Sequence, residues 1–194
     1  MPERVWGFNS PLAHSGVFVT GYRIDLAPVT VDDASVLFDA LDQPEVGTYI
    51  GGPYADSSVG MAEVITRWLS GPPANSTDET WVNYVVRLAD GTVIGHAQAT
   101  MHRTWAEVAW ALGSPWWGQG YGREAAEALL SRVTSLNEMK VMWATVHPDN
   151  VRCKKLLARL GFTMTDIDAA PDLGSYDPGD DVYMRSAGTA SPAA

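Results

Sequence analysis

The chain has 194 residues, 46% of them hydrophobic, with 23 acidic against 13 basic side chains and a formal net charge of −10. That is enough to bury one domain-sized core, and the acidity argues against nonspecific nucleic-acid binding, because phosphates are held mainly by Lys and Arg. No apolar run approaches the ~20 residues that cross a bilayer, Met1-Pro-Glu-Arg4 is not followed by a secretory hydrophobic segment, and one cysteine allows no internal disulfide, so the expectation is a soluble, cytoplasmic protein with no membrane partner.

Residues 1–19 carry no sustained period and contain Pro2, Gly7, Pro11 and Gly16, which predicts an N-terminal arm. Tyr22, Ile24 and Leu26 then alternate with Arg23 and Asp25, predicting a first strand from near Thr20 to just before Pro28. Asp32-Asp33 opens a helix with Val36, Leu37, Ala40 and Leu41 as its buried stripe, and residues 42–58 read as a loop. A second helix carries Met61, Val64, Ile65 and Trp68 and stops at Gly71-Pro72-Pro73. Strands over 81–88 and 93–100 flank Asp90-Gly91, a strong hairpin signal. A fourth strand covers 107–112.

That strand runs into Trp117-Gly-Gln-Gly-Tyr-Gly122 and then a helix with Ala126, Leu129, Leu130 and Val133 on one face. A glycine-rich turn entering a helix leaves main-chain N–H groups free and favours an anion by about 0.3–1 kcal/mol, more where partly buried, so a diphosphate suits it. Arg123 stands where the third glycine of a dinucleotide fingerprint belongs, and Arg123-Glu124 does not supply the Lys-Ser/Thr of a nucleotide-hydrolase loop. Both of those readings fail. A buried strand follows over 141–146, and His147-Pro-Asp-Asn150 breaks it and starts a helix, Asp149 or Asn150 being the N-cap; its apolar stripe is 153, 156, 157 and 160, and Gly161 ends it. Residues 162–167 and 182–185 complete the strands around an Asp-, Gly- and Pro-rich loop, before a polar tail over 187–194.

Two of these motifs carry a resemblance. The Trp117–Gly122 run looks like the acyl-CoA pyrophosphate loop of the GNAT superfamily of N-acetyltransferases, and Asn150-x-x-Cys153 with Leu160-Gly161-Phe162 resembles that family's later segment. The Trp-Gly-x-Gly-Tyr form is similar to the branch containing the ribosomal-protein N-terminal acetyltransferases. The likeness covers roughly residues 20–186, the expected domain. It implies an α+β fold: a mixed, largely antiparallel sheet of about seven strands, flanked by helices, whose parallel strands four and five splay apart.

The resemblance also assigns roles. Trp110 and Leu112 would line the pantetheine arm, main-chain amides from Trp117 through Gly118, Gln119, Gly120, Tyr121 and Gly122, with Arg123, would hold the diphosphate, and Asn150 would fix the arm's far side. Acetyl-CoA would be the cosubstrate and a primary amine the acceptor: a protein N-terminal α-amine by branch, or an amino acid, polyamine or aminoglycoside. Alkylamines are protonated at neutral pH, so a base must take a proton before attack. Glu107 is the candidate, on the strand face shared by Ala109 and Ala111; a plain solvent-facing carboxylate is the alternative. His96 or His102 could serve instead.

Leu157 stands where many relatives have the tyrosine that protonates the leaving thiolate, and Cys153, in the position of a serine in the ribosomal-protein branch, could donate; an inert core thiol is the other reading. His14, His96, His102 and His147 show neither HExxH nor Cys-His spacing, so no metal is expected. The Asp run at 166, 168, 172, 177, 180 and 181 is either solvated surface or a lure for a cationic acceptor, and Tyr49, Tyr54 and Trp105 could line its cleft. A homodimer, a catalytically silent CoA-binding module and a nucleotide-binding protein remain open.

Overall fold

The computed structural model describes residues 23–76, 78–136 and 138–188; the expected arm, His14 and tail residues 189–194 lie outside these. The strands are Ile24–Pro28 (β1), Thr80–Leu88 (β2), Val93–Met101 (β3), Trp105–Leu112 (β4), Val141–Val146 (β5), Thr163–Thr165 (β6) and Asp181–Ser186 (β7). They form one sheet in the order β1-β2-β3-β4-β5-β7-β6, and every neighbouring pair is antiparallel except β4 and β5. The helices are Ala34–Leu41 (α1), Pro44–Gly47 (α2), Ser58–Leu69 (α3), Tyr121–Leu136 (α4) and Val151–Arg159 (α5). The α+β class and the mixed sheet agree with the sequence reading.

Local departures have local causes. β1 includes Pro28, paired with Tyr84, because it is an edge strand where the missing N–H costs no ladder bond. The first helical segment starts as a 3₁₀ turn, Val31–Asp33, with Thr30 N–H and Oγ1 donating to Asp33 Oδ2 at 2.8 and 2.9 Å. α1 then buries Ala34, Leu37, Ala40 and Leu41, while Val36, expected in the stripe, is 47% exposed. It sits about 200° round the helix from Ala34. The loop expected over 42–58 contains α2, with Pro44 in the first turn. The strand expected over 162–167 shortens to three residues followed by a 3₁₀ turn at Ile167–Ala169, and Phe162 instead enters the core.

Period-two alternation sorts the sheet into two faces. Ala97, Ala99 and Met101 of β3, with Val108 and Leu112 of β4, pack against Ala126, Leu129, Leu130 and Val133 of α4 and Leu157 of α5. The opposite face carries His96, Gln98 and Thr100, in register with Ala111, Ala109 and Glu107. One end of it is covered by α1 and α3 through Leu37, Leu41, Met61 and Ile65 on Val85 and Val93. Near the other end Trp143, Leu173 and Val182 pack together, drawing in the segment between β6 and β7. Between these covers the sheet face is open.

Candidate active site

The parallel pair β4 and β5 meets only at Trp105–Val141, Ala106–Met142 and Glu107–Trp143, although β4 continues to Leu112 and β5 to Val146. The strands therefore part after Glu107. Main-chain groups on the facing edges beyond that rung have no ladder partner, and an unpaired peptide group wants one. β4 leaves the gap through a 3₁₀ turn, Ser114–Trp116, into the glycine turn. Gly118 and Gly120 have φ of +76° and +90°, values that L side chains rarely adopt. Among the described residues the N–H groups of Gly118, Gln119, Gly120, Tyr121 and Gly122 donate to no main-chain carbonyl, whereas that of Trp117 donates to Ser114 O (3.2 Å) and that of Arg123 to Gly120 O (3.0 Å).

The side chains of this turn are engaged within the protein. Trp117 Nε1 donates to Leu112 O at 2.6 Å, with the Arg152 guanidinium 4.1 Å above its ring; Gln119 Nε2 donates to Pro115 O (2.8 Å), and Arg123 Nε to Glu127 Oε1 (2.8 Å). Arg23 clamps the turn from β1's entry, donating through Nη2 to Gln119 O (2.7 Å), pairing with Glu124 and covering the Tyr121 ring at 4.4 Å. Across the gap, Asn150 caps α5, its Oδ1 accepting from Cys153 N–H at 3.1 Å, which leaves its amide NH₂ to donate. Cys153 packs against the core, and burial pushes its thiol up to about 11. It stays protonated at neutral pH. Unpaired edges able to receive amides, beside five free N–H groups at a helix start, fit an amide-bearing diphosphate ligand such as coenzyme A. Trp110 and Leu112 stand on β4's parted segment, both packed with the α4-side core.

The open face holds a cavity of about 340 Å³ lined by residues that include Trp68, Trp81, Asn83, Gln98 and Glu107. Glu107 is not solvent-facing: it is 7% exposed and accepts from Gly174 N–H (3.1 Å) and Ser175 N–H (3.0 Å), and from the Ser175 hydroxyl. Ser175 Oγ lies 2.6 Å from Thr145 Oγ1 on β5's parted segment. Glu79 and Asp172 also line the cavity. Of the other aspartates in the run, Asp166 caps the 3₁₀ turn, Asp180 accepts from Asp177 N–H, and Asp181 pairs with Lys154 at 2.6 Å.

The two histidines considered as bases separate. His102 lines the cavity and stacks on Trp105 at 3.7 Å. His96 is 1% exposed, stacked on Trp68 at 4.2 Å with Tyr54 edge-on, and burial drives it down to about 3, so it is neutral at any working pH. Tyr54 and Trp105 pack rather than line the cavity, and Tyr49 rests near His147 at 5.5 Å. Missed from the sequence were Gly174 and Ser175, 67 and 68 residues from Glu107, and Arg23, 101 residues from Glu124. No spacing rule joins residues so far apart.

A sheet parted between two parallel strands, with a glycine-rich anion turn at the gap, defines the class of acyl-CoA-dependent transferases. The chain belongs to the GNAT acetyltransferase family, whose members are acetyl-CoA-dependent N-acetyltransferases: the model of the Acetyltransferase (GNAT) domain matches residues 23–163. It is 30% identical over 146 residues to an uncharacterized N-acetyltransferase, p20, of Bacillus licheniformis, covering 72% of this chain and 79% of that one. Solved structures share the fold. The aminoglycoside acetyltransferase AAC(6')-Ib in complex with coenzyme A superposes with a TM-score of 0.64 at 16% identity, covering 84% of this chain and 94% of that one. A Vibrio cholerae protein described as a candidate ribosomal-protein-serine acetyltransferase gives 0.67 at 20% identity, with the same coverages. Among the described residues no cluster of His, Cys, Asp or Glu could hold a metal ion, and no helix is long and apolar enough to cross a membrane.

Proposed function

We propose that this protein transfers an acetyl group from acetyl-CoA to a primary amine by direct attack, with Glu107 as the base and a protein N-terminal α-amine as the acceptor. One observation carries the reading. The last paired rung of β4 and β5 is Glu107–Trp143, so a buried carboxylate stands where the cofactor gap begins and faces a cavity on the acceptor side. Bound acetyl-CoA would supply the acetyl thioester. The amides of Gly118, Gln119, Gly120, Tyr121 and Gly122 would hold its diphosphate, the NH₂ of Asn150 and the parted edges beside Trp110 and Leu112 would receive its arm, and the protonated Cys153 would donate to the leaving sulfur. Arg123 acts through its pair with Glu127, stiffening the first turns of α4.

The ribosomal-protein branch supports the protein acceptor, through the Trp117–Gly122 run and the fold shared with the Vibrio cholerae structure. A small cationic amine is the second reading, favoured by Glu79 and Asp172 on the cavity wall. A single cysteine and an intracellular cosubstrate suit the cytoplasm. The test is thiol release from acetyl-CoA, screened against peptides with varied N-termini and against amino acids, polyamines and aminoglycosides. Release with an N-terminal peptide and not with the small amines is the expected result. Release by the small amines alone transfers the assignment to them. Thermal stabilisation by CoA with no amine consumed would make the chain a silent CoA-binding module and end the enzyme reading.

A further inference from the structure

Ser175 has a hydrogen-bond arrangement that leaves one acceptor site unfilled. A carboxylate can only accept, so the contact between Ser175 Oγ and Glu107 Oε1 directs the serine's single O–H proton to Glu107. Thr145 Oγ1 has one O–H proton within reach of both Ser175 Oγ (2.6 Å) and the Ser175 carbonyl oxygen (3.1 Å). A hydroxyl oxygen has two lone pairs, and Thr145 can take at most one. The other is unclaimed among the described residues, on a residue that is itself exposed and lines the acceptor cavity. Glu107, by contrast, is buried, with Oε1 and Oε2 already accepting the N–H groups of Ser175 and Gly174.

We propose that the Ser175 hydroxyl carries the acceptor amine's proton to Glu107. The inference rests on the reading of Glu107 as the base. The ammonium N–H donates to the unclaimed lone pair; its proton passes to Ser175 Oγ as the serine's own proton passes to Glu107 Oε1. The neutral nitrogen then attacks the thioester carbonyl carbon. The C–N bond forms, the C–S bond breaks, and the thiolate takes up one proton as the new amide loses one. The proton held by Glu107 returns through the same hydroxyl to water.

The experiment compares Ser175→Ala, Ser175→Thr and Glu107→Gln in the thiol-release assay, using the amine that screening finds best. Ser175→Ala keeps the main-chain bonds to Glu107, so the loop and the melting temperature should hold. Its kcat should fall about 10- to 100-fold with KM for acetyl-CoA unchanged, consistent with losing part of a general-base contribution of ~10²–10⁴. Ser175→Thr should recover most of the loss, and the solvent deuterium isotope effect on kcat should differ between Ser175→Ala and the native enzyme. Full turnover in Ser175→Ala with an inactive Glu107→Gln would overturn the relay while sparing the base. Equal losses in the Ala and Thr variants would overturn it too, making the residue structural. Full turnover in Glu107→Gln would instead sink the underlying reading.

Discussion

The two sides of the parted sheet are built from different material. On the proposed cofactor side, one continuous stretch from Trp105 to Arg123 supplies β4, the turn and the N–H groups that lack a main-chain partner, and side chains of the turn bond within the protein: Trp117 to Leu112 O, Gln119 to Pro115 O, Arg123 to Glu127. On the proposed acceptor side the cavity is made of side chains brought together from α3, β2, β3, β4 and the 172–175 loop. The first side offers backbone, which every sequence has, and so its shape depends on where glycines permit a positive φ. The second offers functional groups, so its chemistry depends on which side chains tertiary packing assembles. A ligand common to a whole family suits the first and a varied acceptor the second.

The sharpest way to break this comparison is to put a side chain into the main-chain site. Gly120→Asp forces a residue with a Cβ to φ +90°, with Arg23 Nη2 only 3.1 Å from that Cβ, and adds a negative charge where a diphosphate would sit. Losing one or two charge-assisted hydrogen bonds costs ~1.5–3 kcal/mol, so CoA affinity measured by calorimetry should fall on the order of 10- to 100-fold. Undiminished affinity would place the cofactor elsewhere. Cys153 tests whether the cofactor side also acts through a side chain. Cys153→Ala should lower kcat about tenfold and Cys153→Ser should match or exceed the native enzyme, while unchanged turnover in the alanine variant would leave the thiol as core packing only.

The last test, silent at neutral pH, concerns the packing beneath the cavity. His96 lies beneath Trp68 with both ring nitrogens buried and unpartnered, and its folded pKa of about 3 is far below the unfolded value near 6.5. A depressed histidine binds its proton only in the unfolded chain, so the cost is absent above pH ~6.5 and grows as pH falls toward 3. His96→Phe should therefore remove up to about one proton from the uptake on acid unfolding, ~1.4 kcal/mol per pH unit across that window, with melting at pH 8 little changed. An identical pH dependence of melting in both proteins would mean that His96 is satisfied in solution.

How much of this was legible follows the same division. The Asp90-Gly91 hairpin, the glycine turn, the Asn150 cap and the buried stripes of α4 and α5 are short-range patterns, and each is where the sequence places it. β4's alternation put Glu107 on the face of Ala109 and Ala111, which the register with Thr100, Gln98 and His96 agrees with. Its burial was not legible. That comes from Gly174 and Ser175, in a loop whose polar composition reads as solvated surface. Val36 shows a limit at smaller scale: the helix buries Ala34 with Leu37, Ala40 and Leu41, and Val36 falls outside that stripe.

What the amino-acid order alone determined is set within about one turn or one hairpin: most of the elements, the Asn150 cap, and the glycine positions that leave five amides without a main-chain partner. Tertiary structure decided where β4 and β5 part, which carboxylate is buried at that point, and which hydroxyl connects it to the cavity. The physical reason is range. Backbone dihedrals and capping bonds are fixed by neighbours in the chain, whereas the surroundings of a buried carboxylate are fixed by whichever distant loop donates to it.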